Sequence, residues 1–279
     1  MKQHKILYLA LSAFTLQMFT SCEKMETVDN TAWVLTWSDE FNEPTPDNRP
    51  DPNKWVYDLG HGENGWGNNE LQNYTDKVEN ASYSEHEGRS CLKITATKTG
   101  NGYESARIKT KGKFEQQYGR FEACMKLPYG KGYWPAFWML GADIDQNPWP
   151  ACGEIDIMEN KGYQPNIVSG ALHFPGHSGS NPITHFYGYE DKRFDTDFHL
   201  FAIEWNEEKI DFFVDNVLYK RVKAKDVTDG EWVYSHSNKP FFILLNLAVG
   251  GNFGGNPNDN TEFPQSMYID YVRVYKKAN

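Results

Sequence analysis

The 279-residue sequence predicts an all-β protein, one large β-sandwich. Short runs of alternating apolar and polar residues recur between turn residues along the chain beyond residue 31. No twelve-residue stretch carries a convincing 3.6-residue apolar period, and 23 Gly and 14 Pro punctuate the loops, clustering at 44–52, 128–135 and 250–257. No linker or internal repeat divides residues 32–279, so the strands are expected to bury a single core between two sheets.

The chain opens on an address. Lys2 and Lys5 precede a mostly apolar run over residues 6–19, shorter than the roughly 20 residues that span a bilayer. Its position fits the hydrophobic region of a signal peptide. The run closes on Phe19-Thr20-Ser21-Cys22, which resembles a relaxed bacterial lipoprotein box with Cys22 as the lipidated first residue. Residues 1–21 are therefore expected to be a lipoprotein-type signal peptide, 22–31 a polar tether and 32–279 a single domain. This implies an exported monomer, lipid-anchored at the outer membrane or cell surface of a Gram-negative-type bacterium.

Strands are expected over 91–97, 105–109, 118–127, 154–159, 198–205, 210–214, 217–222, 241–249 and 267–275, with Asp215-Asn216 as a hairpin turn. Cys91, Cys124 and Cys152 are an odd number for an exported protein and none has zinc-knuckle spacing. They read as core thiols. The net charge of −10 gives no basic footprint for nucleic acid and favours a neutral or cationic partner. Aromatics make up 15%, enough to stack flat ligands as well as pack a core.

The chemistry concentrates in Glu154-Ile155-Asp156-Ile157-Met158-Glu159. In a strand, Glu154 and Asp156 share one face while Ile155 and Ile157 take the other. A regular strand would bury Glu159 with the isoleucines; one extra residue, a β-bulge around Met158, returns it to the face of the other acids. A helix would leave Glu154 and Glu159 roughly 140° apart. Such a row can hydrolyse a glycoside: one carboxylate attacks the anomeric carbon, another protonates the leaving oxygen, and the middle acid orients the first. Trp134, Trp138 and, across a turn, Trp149 can share a face and offer platforms for sugar rings.

The acid strand closely resembles the bulged signature of glycoside hydrolase family 16, in its laminarinase-like endo-β-glucanase branch. The resemblance extends through Trp37-Ser38-Asp39-Glu40-Phe41, the segments 65–72, 105–110, 119–123 and 240–251, and Asp270-Tyr271-Val272-Arg273-Val274-Tyr275. It implies a concanavalin-like β-jelly-roll with an open concave cleft, and a retaining endo-hydrolase of β-1,3- or mixed-linkage β-1,3/1,4-glucan. Glu154 would be the nucleophile, Asp156 its helper and Glu159 the general acid/base. Asn68, Arg107, Trp134, Trp138 and His173 match positions lining the family's glycone subsites. No cofactor is implied for catalysis. A structural calcium often present in the family would meet Glu40 and Gly88 through backbone oxygens and Asp270 through its carboxylate. Many relatives carry Trp after the Gly-Gly-Asn turn, where this chain has Phe253.

Three weaker motifs are set aside. Gly60-His61-Gly62-Glu63-Asn64-Gly65 matches a dinucleotide fingerprint without its strand and helix. The segment 143–154 mimics a calcium loop but has Pro148 where the turn needs Gly. Gly176-His177-Ser178-Gly179 falls short of a nucleophile elbow. The competing function classes are an agarase-like galactan hydrolase of the same fold and a non-catalytic β-glucan-binding protein.

Overall fold

The computed structural model describes residues 32–100 and 102–278, all within one compact unit. The expected leader, the tether and Cys22 lie outside the described residues. Nine strands come first: β1 (Trp33–Asp39), β2 (Val56–Asp58), β3 (Gln72–Tyr74), β4 (Ala81–His86), β5 (Arg89–Thr99), β6 (Gly102–Ser105), β7 (Arg107–Lys109), β8 (Gly119–Lys126) and β9 (Tyr133–Gly141). Eight follow: β10 (Glu154–Asn160), β11 (Ile167–His173), β12 (Ile183–Gly188), β13 (His199–Trp205), β14 (Lys209–Val214), β15 (Val217–Lys223), β16 (Phe241–Val249) and β17 (Gln265–Lys277).

They form the two expected sheets. A ten-stranded sheet runs β15-β14-β13-β8-β17-β5-β6-β3, with β1 added on β17 and β4 on β5. A seven-stranded sheet runs β12-β11-β10-β9-β16-β7-β2. Their inner faces share one core, in which Phe121, Ile203 and Phe212 of one sheet pack with Phe137, Ile155, Leu172 and Leu245 of the other. Gly170 marks how closely the layers approach: a Cβ there would fall 2.7 Å from the Phe212 ring.

Alternation found the strands with one polar face. The hairpin turn behaves as read: Asp215 and Asn216 both take positive φ, 48° and 63°, and Val214 pairs with Val217. The segment 105–109, read as one strand, is two. β6 belongs to the ten-stranded sheet and β7 to the seven-stranded one, and the chain passes between them at fully buried Ala106. Two short pieces in one alternating run carry no sign that their partners differ. β9 was legible only as an aromatic segment, because it is flanked by β10 and β16 and buried over most of its length, which erases alternation. The strands β2 and β3 are three residues long, too short to show alternation, and edge strand β12 carries Ile183 and Tyr187 on one face and Phe186 on the other, which hides it. The three thiols are free and buried as expected; burial pushes Cys91 and Cys124 up to about 12 and Cys152 up to about 11, so they stay protonated.

Candidate active site

The acid strand β10 is bulged. Against β11, Asp156 pairs with Ala171 and Glu159 with Ser169, three residues on one strand against two on the other. Against β9 the register likewise shifts between Asp156 and Met158. Ile155, Ile157 and Met158 enter the core, while Glu154, Asp156 and Glu159 all line a cleft of about 990 Å³ on the outward face of the seven-stranded sheet. The extra residue is what keeps Glu159 out of the core.

Tryptophans hold the outer two acids. The Trp149 indole donates to Glu154 Oε2 at 2.7 Å, and that of Trp134 to Glu159 Oε1 at 2.9 Å. Trp138, four residues after Trp134 on the same face, donates to Asn246 Oδ1 at 2.7 Å. His173 Nε2 approaches Asp156 Oδ2 at 3.3 Å. Behind the row, the buried Tyr234 hydroxyl lies 2.7 Å from the Glu154 carbonyl and 3.0 Å from that of His173, so its one proton ties the start of β10 or the end of β11 at any moment.

All seven expected substrate residues, Asn68, Arg107, Trp134, Trp138, Trp149, His173 and Phe253, line this cleft. The Arg107 guanidinium lies 4.7 Å from the ring centres of both Trp66 and Trp138, and its Nε is 2.9 Å from Asp58. The Phe253 ring lies 5.1 Å from that of Trp134, tilted by 39°, and receives Lys161 at 4.6 Å. His173 lies on β11, across the acid strand from Trp134, Trp138 and Arg107, because β10 pairs with β9 on one side and β11 on the other.

Several lining residues escaped the sequence reading, among them Trp66, Glu70, Asn246 and Thr184. Glu70 is buried and accepts from Gln72 at 2.6 Å and Tyr74 at 3.1 Å; burial raises its pKa. An acid so close to Asn68 was the available signal. Its burial depends on strands far away in sequence, which no local pattern reveals.

The row is short of positive charge. Glu154 is pushed up to about 8, by burial first and then by the Asp156 charge. Asp156, the deepest, is raised well above its ordinary range by burial and by Glu159. Glu159 is pushed up to about 7 by burial and Glu154, against the Trp134 hydrogen bond that favours its ionised form. Three acids this close release their protons in shared steps. When Asp156 is protonated, the charge that raises Glu154 is absent, and Glu154 ionises more readily.

Two cation sites invite testing against the residues present. Glu154, Asp156 and His173 offer ligand atoms within 4.8 Å of one another, but these are the row's own groups. The second is the expected calcium set, in which Asp270 would supply the one carboxylate beside the backbone oxygens of Glu40 and Gly88. The Asp270 carboxylate is ion-paired to Arg89 beside Gly88, and the Glu40 side chain is held by Arg273 at 2.7 Å. The set's one charged ligand is thus already matched by a cation of the chain itself.

A tryptophan-lined cleft across a β-sandwich, with a bulged strand presenting three acids, defines a polysaccharide-cleaving glycosidase. Residues 68–273 match the glycosyl hydrolases family 16, and the chain belongs to that family. It is 42% identical over 253 residues to a β-glucanase of Rhodothermus marinus, covering 88% of this chain and 85% of that protein. It is 39% identical over 262 residues to a glucan endo-1,3-β-glucosidase of Cryptopygus antarcticus, covering 88% and 92%. The laminarinase catalytic domain of Thermotoga maritima superposes with a TM-score of 0.79 at 46% identity, covering 88% of this chain and 99% of that one.

Proposed function

We propose that this glycoside hydrolase is a retaining endo-hydrolase of β-glucan, cleaving β-1,3 links in laminarin-type chains or in mixed-linkage β-1,3/1,4-glucan. The observation that carries the reading is a row of three acids without a Lys or Arg ion pair among the described residues, set in an open cleft between indole platforms. Uncompensated buried carboxylates destabilise a fold, and their use is proton transfer and nucleophilic attack.

In the first step the Glu154 carboxylate attacks the anomeric carbon. Protonated Glu159 donates its proton to the glycosidic oxygen, the C–O bond breaks, and the aglycone leaves as an alcohol. Protonated Asp156 donates a hydrogen bond to Glu154 and holds it aimed. In the second step Glu159, now a carboxylate, takes a proton from water, whose oxygen attacks the glycosyl–Glu154 ester and restores both residues. Two displacements leave the product with its β configuration. A neutral glucan suits a site whose net charge is negative, whereas a sulfated chain would be repelled. The enzyme acts as a monomer, exported and tethered to the membrane through lipidated Cys22; the mass of the mature N-terminal peptide from a native membrane fraction checks this last point.

The activity is tested by reducing-sugar release from laminarin, curdlan, barley mixed-linkage glucan, cellulose, agarose and a carrageenan, with Glu154→Gln as control. Cleavage of laminarin or barley glucan, lost in the variant, is the expected result. Cleavage of agarose alone would transfer the enzyme to galactans. Binding without any release would make it a glucan-binding protein and overturn the catalytic reading.

A further inference from the structure

Hydrogen-bonded pairing aligns one row of residues across the whole seven-stranded sheet. Asp58 pairs with Arg107, Arg107 with Asn246, Asn246 with Ala136, Ala136 with Glu159, Glu159 with Ser169, and Ser169 with Phe186. Of the platforms and polar groups assigned above, Arg107, Asn68, Trp134 and Trp138 lie on the β9 side of Glu159, whereas His173, with Trp149 at 5.9 Å between ring centres, lies on the β11 side. On the other side lie only β11 and the edge strand β12.

On β12, Ile183 and Tyr187 pack against the core, so the intervening Thr184 and Phe186 face outward. Thr184 lines the cleft, which makes this face continuous with the catalytic surface. Phe186 is 63% exposed, on an edge strand. A bare aromatic at a sheet edge invites association, and native edges are normally charged or covered. Neighbouring strands lie about 4.8 Å apart, so Phe186 sits roughly 10 Å from Glu159 across the row. One strand spacing is comparable to the length of one sugar residue. With the glycone held on the β9 side, as the family resemblance implies, the first residue of the departing chain would lie over β11, where Ser169 and Ala171 are small and buried, and the second over β12.

We propose that Phe186 is the stacking platform for the second sugar residue on the leaving-group side of the cleaved bond. It is a specificity-determining residue that favours long glucan chains over short or aryl-capped ones. The proposal rests on the β-glucanase reading and deepens it. The ring meets the apolar C–H face of a neutral hexopyranose, so no charge is required on either partner. Its contact is made equally in the ground and transition states, and its loss therefore appears in KM rather than in kcat.

The test compares kcat/KM for laminarihexaose and for 4-nitrophenyl β-laminaribioside in the wild type, Phe186→Ala and Phe186→Tyr. The aryl group stops one position short of β12. In Phe186→Ala the ratio of the two kcat/KM values, hexaose over aryl glycoside, is expected to fall about 3- to 10-fold through a higher KM for the hexaose. Phe186→Tyr, which keeps a flat ring, restores the ratio. An unchanged ratio in Phe186→Ala, equal losses on both substrates, or failure of Phe186→Tyr to restore the ratio would overturn the proposal while leaving the enzyme a β-glucanase. A wild type inactive on both substrates and on the polysaccharide panel would instead overturn the function reading, and this proposal with it.

Discussion

On the outward face of the ten-stranded sheet, Arg120, Glu204, Asp211 and Arg221 follow one another across β8, β13, β14 and β15. Arg120 lies 3.0 Å from Glu204, and Asp211 accepts from Lys209 at 2.7 Å and from Arg221 at 2.6 Å. On the outward face of the seven-stranded sheet, Glu154, Asp156 and Glu159 form an equally dense acidic row, but their partners are indoles and an imidazole. Both faces pack carboxylates onto a buried backbone. The first row is neutralised within itself and serves the fold. The second is left to attract and exchange protons, at the expense of stability, and serves chemistry.

The comparison breaks first at activity. Glu154→Gln and Glu159→Gln are each expected to lower kcat on laminarin by about 10³-fold or more, read by reducing-sugar release, while the circular dichroism spectrum persists. Asp211→Asn acts on the other row. It leaves Lys209 and Arg221 without their shared carboxylate at a site 1% exposed, and about 3–5 kcal/mol of stability is expected to disappear. Thermal melting should drop by roughly 10 °C, with kcat/KM per folded molecule unchanged.

The uncompensated row also makes stability depend on pH. Folded pKa values raised to about 8 at Glu154 and about 7 at Glu159 mean that the native state binds protons more tightly than the unfolded chain. The acidic row therefore weakens the fold as pH climbs from the unfolded carboxylate range, near 4, through 7–8. Glu159→Gln removes the Glu159 share of that effect, so its melting temperature should exceed the wild type's by a few degrees at pH 8, the gap closing toward pH 4.5. The smallest effect is kinetic. The Trp134 N–H stabilises ionised Glu159, so Trp134→Phe raises the pKa of the general acid. The alkaline limb of the kcat profile should move to higher pH; a limb that stays in place would remove Trp134 from proton control.

The acidic row was legible in the sequence because a contradiction within six residues exposed it. Period-two alternation sent Glu159 into the core, and only a bulge resolved the conflict. The platforms were legible because Trp134, Trp138 and Trp149 stand close to that strand in the chain. Trp66, Glu70 and Asn246 were not, since they reach the cleft through contact with strands distant in sequence. The Arg89 and Arg273 partners of Asp270 and Glu40 were likewise hidden, because each ion pair joins segments distant in sequence. Sheet membership was hidden for the same reason at Ala106, where local alternation continues while the chain changes partners.

The acids of the uncompensated row divide the labour between them, and azide reads that division directly. With 4-nitrophenyl β-laminaribioside, Glu154→Ala supplemented with azide should give the α-glycosyl azide, because the anion attacks from the side the nucleophile vacated. Under the same conditions Glu159→Ala should give the β-glycosyl azide, formed from the intact glycosyl–Glu154 intermediate. Interchanged products, or no azide product from either variant, would contradict the assignment of Glu154 as nucleophile and Glu159 as acid/base.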